Sequence, residues 1–318
     1  INYLFIHWMQ YSNKHIIMSK EAYYENINTK LKIACGVVIM LGIRLLFEIV
    51  VYGEDSIPDH TEGYWGEKTA NTNWCERDYV VTPYIAEFGN SLSSLFVVWF
   101  GLYGLYKHGS WVEGRFFIAY VFFFVVGFGS VAFHATLWRS TQLLDELPML
   151  WCNGVFFYIL FLLERDHDGN FHGPYKFRPS HVAWASLIFT GTCTILVILF
   201  DAEDQIIFLL SYGSGVVFQI WTNVYIENKY KLGKKGICLG YLAMFIYLVG
   251  FNVWLIDRRF CSLIGSLHLH SFWHFFAGLG TFTAMLFWMQ VRLTVLKQKF
   301  KMKGVEPFRH IVILEKVV

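Results

Sequence analysis

The stretch "FFIAYVFFFVVGFGSVAFHATL", residues 116–137, decides the fold class of this chain. It contains no Asp, Glu, Lys or Arg, and about 20 mostly apolar residues are enough for an α-helix to cross a bilayer. Over the whole chain 55% of residues are hydrophobic and 16% are charged, whereas soluble domains have about a quarter charged residues. The sequence therefore predicts an integral membrane protein whose surroundings are a lipid bilayer and not a nucleic acid.

Seven further stretches of similar length and composition lie on either side of this one. Together the predicted membrane helices are 32–52, 84–106, 116–137, 143–163, 181–200, 205–226, 236–256 and 270–290. The connections between them are short, and Trp or Tyr stands near many of the ends, as in the aromatic belts of membrane proteins. We predict an all-α integral membrane protein with a seven-helix core and an extra transmembrane helix at the N-terminus.

The segment before the first predicted helix differs from the rest of the chain in how it begins. The chain opens with Ile1, whereas Met18 begins the reading "MSKEAYYENINTK", so we expect residues 1–17 to be non-native and to take no part in the fold. A cleaved signal peptide is disfavoured, because the apolar run is long and Glu48 stands where small residues should mark a cleavage site.

Basic residues are unevenly shared between the two sides of the predicted bundle. Twenty of the 26 Lys and Arg residues fall on the side of the two termini. The other side holds only Lys68, Arg77, Arg139, Arg258 and Arg259. The excess of basic residues in cytoplasmic loops orients membrane proteins, so we expect both termini in the cytoplasm.

Three histidines and an aspartate are predicted to converge at one depth of the membrane. His270 and His274 in "HSFWH" are four residues apart, so they lie on one face of the last helix. His134 lies near the outer end of the third helix, and Asp145 in "QLLDELPML" starts the helix that returns from there. A single histidine in an apolar helix is more often packed and hydrogen-bonded, and this is the role expected for His268. The convergence of the others predicts a metal site on the extracytoplasmic side.

The residue types of this site indicate hydrolytic chemistry. Three imidazoles and a water are the ligands of a catalytic zinc ion, which lowers the pKa of its water to about 7. Asp145 is placed to take a proton from that water and to return one to a leaving nitrogen. Ser130, one turn before His134, is placed to orient the water or to donate to an oxyanion, although taken alone it could bond a carbonyl of its own helix. The predicted reaction is hydrolysis of an amide or ester in a lipid.

A second set of polar residues stands in the loop "EGYWGEKTANTNWCERDYVVTPYIAEFGN", residues 62–90. Asn73, Glu76, Asp78 and Glu87 offer oxygen ligands, and Ca²⁺ takes six to eight oxygens. The spacing does not fit an EF-hand loop, and an acidic loop is usually only solvated. By pattern alone, both interpretations stay open.

The motifs reached so far resemble those of the alkaline ceramidase family, membrane amidohydrolases that cleave ceramide into sphingosine and a fatty acid. The stretches that carry the resemblance are "EGYWG", "NWCERDYVVTPYIAEF", "FHATL", "QLLDELPM" and "HSFWHFFAGLG", in the order of the family, over roughly residues 62–290. The resemblance implies a seven-helix catalytic core. It also implies a zinc ion held by His134, His270 and His274, with Ser130 and Asp145 attending the zinc-bound water.

The same resemblance implies a calcium ion in the N-terminal loop. Its ligands would be Asn73, the backbone carbonyl of Trp74, Glu76, Asp78 and Glu87. The family tends to have aspartate at the position of Asn73 and asparagine at that of Asp78. This swap preserves the total charge, so we expect calcium to bind. Segment 1–53 has no counterpart in the family pattern.

The six cysteines divide by their place in the predicted topology. Cys35, Cys152, Cys193 and Cys238 fall within predicted helices, where a buried thiol behaves as a small apolar group. Cys75 and Cys261 fall in extracytoplasmic loops, and this side is oxidising in the secretory pathway. We therefore predict a disulfide between Cys75 and Cys261.

These observations divide the chain into four parts. Residues 1–53 are an extension with the extra helix, 54–83 a calcium-binding type of loop, 84–290 the catalytic core and 291–318 a basic cytoplasmic tail. We expect a multi-pass protein of the endoplasmic reticulum or Golgi, with both metal sites on the extracytoplasmic side and a ceramide-type lipid as substrate. The alternative function is a lipid-sensing receptor or a factor that remodels GPI lipids, with a similar zinc site.

Overall fold

The computed structural model describes residues 20–55, 61–200, 205–232, 238–304 and 312–316, and eight helices in this part of the chain are long and apolar enough to cross a membrane. They are α1 (Lys20–Tyr52), α2 (Phe88–His108), α3 (Gly114–Thr136), α4 (Arg139–Phe161), α5 (Pro179–Phe200), α6 (Ile206–Tyr230), α7 (Leu239–Arg259) and α9 (Leu269–Val295), with the short helix α8 (Cys261–Ile264) and a 3₁₀ turn (Gly265–Leu267) between the last two. The predicted all-α membrane fold with an extra N-terminal helix is confirmed. Residues 1–17, which we expect to be non-native, and Met18 lie outside the described residues.

Two helix boundaries differ from the prediction in ways that affect the site. Residues 84–87 belong to the loop and not to α2, which starts at Phe88 with Glu87 as its N-cap residue. α4 starts at Arg139 and not at 143, because Leu137 adopts a left-handed conformation (φ 51°) that ends α3 and leaves a two-residue connection. Asp145 therefore lies almost two turns inside α4 and not at its start.

The segment after α9, predicted only as a basic tail, contains two short strands. β1 (Phe300–Gly304) pairs antiparallel with β2 (Val312–Lys316), with Phe300 opposite Lys316. Both strands are only five residues long. In "FKMKG" the lysines that alternate with apolar residues make the segment look like part of a charged tail, which is why the strand was not predicted.

Large aromatic side chains fill the centre of the bundle. Phe100 of α2, Tyr120 of α3, Phe156 of α4 and Trp288 of α9 belong to one buried cluster. The Trp288 indole N–H donates to the side-chain oxygen of Asn223 on α6 at 2.7 Å. Apolar side chains on the outer faces are exposed, as they should be where lipid surrounds the protein. α9 is thereby fixed at the centre, and its first turns lie at one end of the bundle.

Glycines let α3 lie very close to both of its neighbours. A Cβ atom on Gly127 would come within 2.4 Å of the Val98 amide nitrogen on α2. A Cβ atom on Gly129 would come within 2.1 Å of the Leu144 carbonyl oxygen and 2.9 Å of the Asp145 amide nitrogen on α4. Small residues at such contacts allow helix backbones to approach each other in membranes. The contact at Gly129 brings α3 against the turn of α4 that carries Asp145.

The extra helix α1 packs along α7 and runs parallel to it. The side-chain oxygen of Asn28 accepts the Cys238 backbone N–H at 2.9 Å, and farther along, the Asn252 side chain donates to the Val38 carbonyl at 2.9 Å. Between these bonds, Cys35 packs in a buried cluster with Tyr241 and neighbouring residues of α7. α1 is therefore joined to the bundle by both apolar packing and hydrogen bonds.

Candidate metal centre

Three buried histidines meet near one end of the bundle. His134 lies in the last turn of α3, while His270 and His274 lie in the first turns of α9. One ligand nitrogen from each histidine lies within 4.8 Å of those from the other two. His134, His270 and His274 are 1%, 4% and 5% exposed. The structure thus brings together the three histidines that the sequence singled out. Three neutral imidazoles are a donor set that suits zinc.

Two of these histidines are held through the ring nitrogen that faces away from the group. The His134 Nδ1 atom lies 2.5 Å from Oε2 of the Glu87 carboxylate. The His274 Nδ1 atom lies 2.8 Å from the Ser93 hydroxyl. Such partners fix the orientation of a metal-binding imidazole, so each of these rings keeps its Nε2 atom for a metal.

The third histidine is held differently. The Nδ1 atom of His270 is buried and has no hydrogen-bond partner among the described residues. Its ring stacks on the Trp74 ring, with the two centroids 3.7 Å apart and an angle of 21° between the planes. The Trp74 ring is therefore the closest ring contact of this imidazole, nearer than the rings of His134 and His274.

Ser130 and Asp145 lie beside the histidines, as predicted. The Ser130 hydroxyl is 3.5 Å from Nε2 of His274 and accepts a hydrogen bond from the Ser94 hydroxyl at 3.0 Å. The half-buried Asp145 carboxylate lies within hydrogen-bonding range of the Ser130 hydroxyl. A carboxylate and a hydroxyl thus stand together next to a group of imidazoles, which is an arrangement that can move protons during a hydrolytic reaction.

The polar residues of α2 were missed by the sequence analysis. Asn90 donates to the Glu87 carboxylate at 3.0 Å and accepts from the Ser271 hydroxyl at 2.8 Å. Ser93 and Ser94 lie 2.8 Å and 3.4 Å from the Nδ1 atom of His274, and both hydroxyls lie within hydrogen-bonding distance of the Asn90 carbonyl. The available signal was the spacing of "NSLSS", because residues three and four apart share one face of a helix.

The predicted calcium-binding residues lie in a compact loop before α2. The Glu76 carboxylate accepts the backbone N–H groups of Gly89 and Asn90, at 2.6 Å and 2.9 Å. The Asp78 carboxylate pairs with Lys68 and accepts from the Asn73 side chain. Glu87 accepts the backbone N–H of Trp74 at 2.9 Å while it contacts His134 with its other oxygen. Glu87 thus touches both candidate metal sites.

These carboxylates are buried beside one another. Glu76, Asp78 and Glu87 are 6%, 2% and 0% exposed. Burial, reinforced by the charge of Glu87, raises the pKa of Asp78 to about 6. Burial, reinforced by the charge of Glu76, raises the pKa of Glu87 to about 8. The repulsion between these carboxylates is a reason for a cation to bind here, and oxygen ligands of this kind suit calcium.

The predicted disulfide between Cys75 and Cys261 is confirmed. Their Cα atoms are 5.3 Å apart, and the bond joins the loop before α2 to the short helix α8. The other four cysteines are buried and free, as expected.

The disulfide leads to a simple prediction about reactive thiols. The denatured, unreduced protein should present the four free thiols to iodoacetamide, and reduction should raise the number to six. Mass spectrometry of the alkylated chain measures both numbers. Six labelled thiols without reduction would contradict the disulfide, and a Cys75→Ser variant should label five thiols in both conditions.

Two further polar residues have clear structural positions. His268 was expected to be packed, and this prediction is wrong: its side chain is 47% exposed, and its Nδ1 atom lies 3.5 Å from the Glu76 carboxylate. The reason is that His268 is the N-cap residue before α9, so its side chain does not belong to a packed helix face. Glu146, the residue after Asp145, is buried and accepts hydrogen bonds from Gln142 and Gln205, which is a structural position.

Known proteins resemble this chain over most of its length. A family model described as "Ceramidase" matches residues 66–311. Alkaline ceramidase 3 from Mus musculus is 30% identical over 256 residues, which cover 76% of this chain and 91% of that relative. A putative alkaline ceramidase (dcd3A) from Dictyostelium discoideum is 32% identical over 249 residues, covering 70% of this chain and 86% of that protein. An alkaline ceramidase from Saccharomyces cerevisiae is 30% identical over 252 residues, which cover 73% of this chain and 78% of that relative. Since the family model matches well over half of the sequence, the chain belongs to the ceramidase family, as its motifs predicted.

Proposed function

We propose that this chain is a zinc-dependent amidase of the membrane that hydrolyses the N-acyl bond of ceramides to a sphingoid base and a free fatty acid. The observation that carries the proposal is the buried group of His134, His270 and His274, with a carboxylate and a hydroxyl beside it. Membership of the ceramidase family supports the substrate class.

The three histidines are the residues that would hold zinc. The fit rests on their donor chemistry and on the contacts from Glu87 and Ser93, which leave the Nε2 atoms of His134 and His274 for a metal. When bound, zinc supplies a Lewis acid that lowers the pKa of a water from about 15.7 to about 7. Because the site is buried, charges inside it interact more strongly than they would in water.

Asp145 and Ser130 carry the proton and charge chemistry. Asp145 takes a proton from the attacking water as the carbon–oxygen bond forms. It then delivers a proton to the amide nitrogen as the carbon–nitrogen bond breaks, so that the sphingoid base leaves as an amine. The Ser130 hydroxyl, within range of Asp145, donates a hydrogen bond to the oxyanion that develops on the carbonyl oxygen.

We further propose that calcium binds in the loop before α2. Its ligands are Asn73, the Trp74 carbonyl, Glu76, Asp78 and Glu87, of which the three carboxylates are buried. Calcium offsets their mutual repulsion and so holds Glu87 in place against His134. A calcium ion held there would support the zinc site through Glu87, which contacts His134.

The substrate reaches the site from the lipid. A shallow groove of about 530 Å³ runs along α4 beside Phe122 of α3; its lining is mostly apolar, with Leu147 and Trp151, and contains none of the site residues themselves. The amide of a ceramide would lie near Asp145 while its two chains remain along apolar helices. We place the protein in the endoplasmic reticulum or Golgi, with both termini cytoplasmic and both metal sites on the oxidising side, where the Cys75–Cys261 disulfide forms.

The test is hydrolysis of a fluorescent ceramide by the purified protein in detergent. We expect release of labelled fatty acid that is weakened by a calcium chelator. His270→Ala removes a zinc ligand, so it should abolish both the release and the stoichiometric zinc. His181→Ala, an exposed histidine of α5, is the matched control and should retain both.

Two outcomes would overturn parts of the proposal. Full activity of the His270→Ala variant would remove zinc from the mechanism. A wild-type protein that keeps one zinc per chain and binds ceramides of several chain lengths without releasing product would instead favour the lipid-sensing receptor.

A further inference from the structure

The end of α1 makes direct contacts with the connection between α7 and α9. Gly53 ends α1 in a left-handed conformation (φ 75°), and its N–H donates to the Ile49 carbonyl at 2.8 Å. The next residue, Glu54, pairs through its carboxylate with the Arg258 guanidinium. The Asp55 backbone N–H donates to the Arg258 carbonyl at 2.9 Å. Both the side chain and the backbone of Arg258 are thus held from α1.

Asp55 also holds the far side of this connection. One oxygen of its carboxylate accepts the backbone N–H of Ser262 at 2.7 Å and the Ser262 hydroxyl at 2.6 Å. Ser262 follows Cys261, which is bonded to Cys75 of the loop before α2. Two consecutive acidic residues therefore hold the last turn of α7 and the start of α8 together.

Arg258 lies between these contacts and the aromatic rings beside the metal centre. Arg258 is only 8% exposed. Its guanidinium lies 4.8 Å from the Trp254 ring centroid and 5.8 Å from the Trp74 ring centroid. Cations are attracted to the faces of such rings. Trp74 in turn stacks on His270 at 3.7 Å. Glu54, Arg258, Trp74 and His270 thus form a continuous series of contacts.

His270 is the histidine that depends on this series. Glu87 orients His134 and Ser93 orients His274 through hydrogen bonds. The Nδ1 atom of His270 is buried without such a partner among the described residues, and the closest ring contact of this imidazole is the stacked Trp74 ring. α1 itself precedes residues 66–311, which the ceramidase family model matches.

We propose that the end of α1, through Glu54 and Asp55, positions Arg258 and Trp74 and thereby holds His270 in the orientation that binds zinc. Glu54 and Asp55 are positioning residues that lie outside the matched family region. This inference rests on the zinc site of the proposed function. It assigns to the N-terminal segment a part in metal binding.

The test measures zinc affinity of the full-length purified protein by competition with a chromogenic chelator, without substrate. The double variant Glu54→Gln/Asp55→Asn should bind zinc about tenfold more weakly than the wild type, because loss of a supporting contact typically lowers metal affinity by about 10–100-fold. The melting temperature of its metal-free form and its KM for a fluorescent ceramide should stay close to the wild-type values. The control is Glu48→Gln, which removes another carboxylate of α1. Glu48 pairs with Arg44 of the same helix, so this variant should leave zinc affinity unchanged.

A second pair of variants tests whether Arg258 transmits the effect. Arg258→Met should itself weaken zinc binding, and adding Glu54→Gln to it should cause no further loss, since contacts that act in series are not additive. Equal zinc affinity in the wild type and the Glu54→Gln/Asp55→Asn variant would overturn the inference and leave the proposed function intact. The inference would also be overturned if the variant lost as much free energy of unfolding in its metal-free form as it lost free energy of zinc binding. A wild-type protein that binds no zinc would overturn the proposed function and this inference together.

Discussion

Replacing Asp145 by asparagine should lower ceramide hydrolysis by about 10²–10⁴-fold while the protein keeps its zinc. Asparagine has nearly the same size and can still contact Ser130, so the helix contact at Gly129 is undisturbed. It cannot accept a proton, and the proton of the attacking water is then left without a base. The measurement is kcat for a fluorescent ceramide together with the zinc content of the purified variant.

The neighbouring carboxylate provides a matched control for this prediction. Glu146→Gln makes the same chemical change one residue farther along α4, where Gln142 and Gln205 surround the side chain. We expect this variant to keep kcat within about tenfold of the wild type, since Glu146 has a structural position. Asp145 would lose its assigned role as acid and base if Asp145→Asn hydrolysed ceramide as fast as Glu146→Gln.

The second large effect is expected for Glu87→Gln, because Glu87 touches both candidate metal sites. Its two oxygens contact the His134 ring and the Trp74 backbone N–H. Glutamine keeps the shape but loses the charge that orients the imidazole and attracts calcium. We expect zinc affinity to fall by about 10–100-fold. The stimulation of hydrolysis by calcium should be lost as well.

Glu76→Gln separates the two effects. Glu76 is also buried in the loop, but its oxygens accept the N–H groups at the start of α2. This variant should weaken the response to calcium while its zinc affinity stays within about threefold of the wild type. Chelator competition for zinc and activity as a function of free calcium are the two measurements. Equal zinc affinity in Glu76→Gln and Glu87→Gln would show that Glu87 does not support His134.

The spans of the fold could be predicted because membrane helices follow directly from runs of apolar residues. Their starts were less predictable. The segment 80–86, "VVTPYIA", is apolar enough to extend a hydropathy run, although it belongs to the loop before α2. The first turn of α4, "RSTQ", is polar and was left out for the opposite reason. Hydropathy records the solvent around a residue, whereas capping and turn geometry decide where a helix begins.

The site was predictable to the extent that topology places residues at a common depth. His134, His270 and His274 needed only the direction of their helices to be brought together. Contacts that depend on how each helix is rotated were beyond the sequence, such as that between Ser93 and His274, which are 181 residues apart. The stacking of Trp74 on His270 was unpredictable for a second reason, because the conformation of the loop that carries Trp74 sets it.

The parallel packing of α1 against α7 has a consequence for biosynthesis. The bond between Asn28 and Cys238 joins positions 210 residues apart in the chain. At the usual pace of about 5–20 residues per second, the ribosome needs on the order of 10–40 s to make that length of chain. Throughout this interval α1 must persist in the bilayer as a lone helix, which is possible because its backbone bonds are satisfied internally. α1 precedes the other seven membrane helices in the described part of the chain and is therefore among the last to pack against its partner, so His270 reaches the proposed orientation only after α1 has packed on α7.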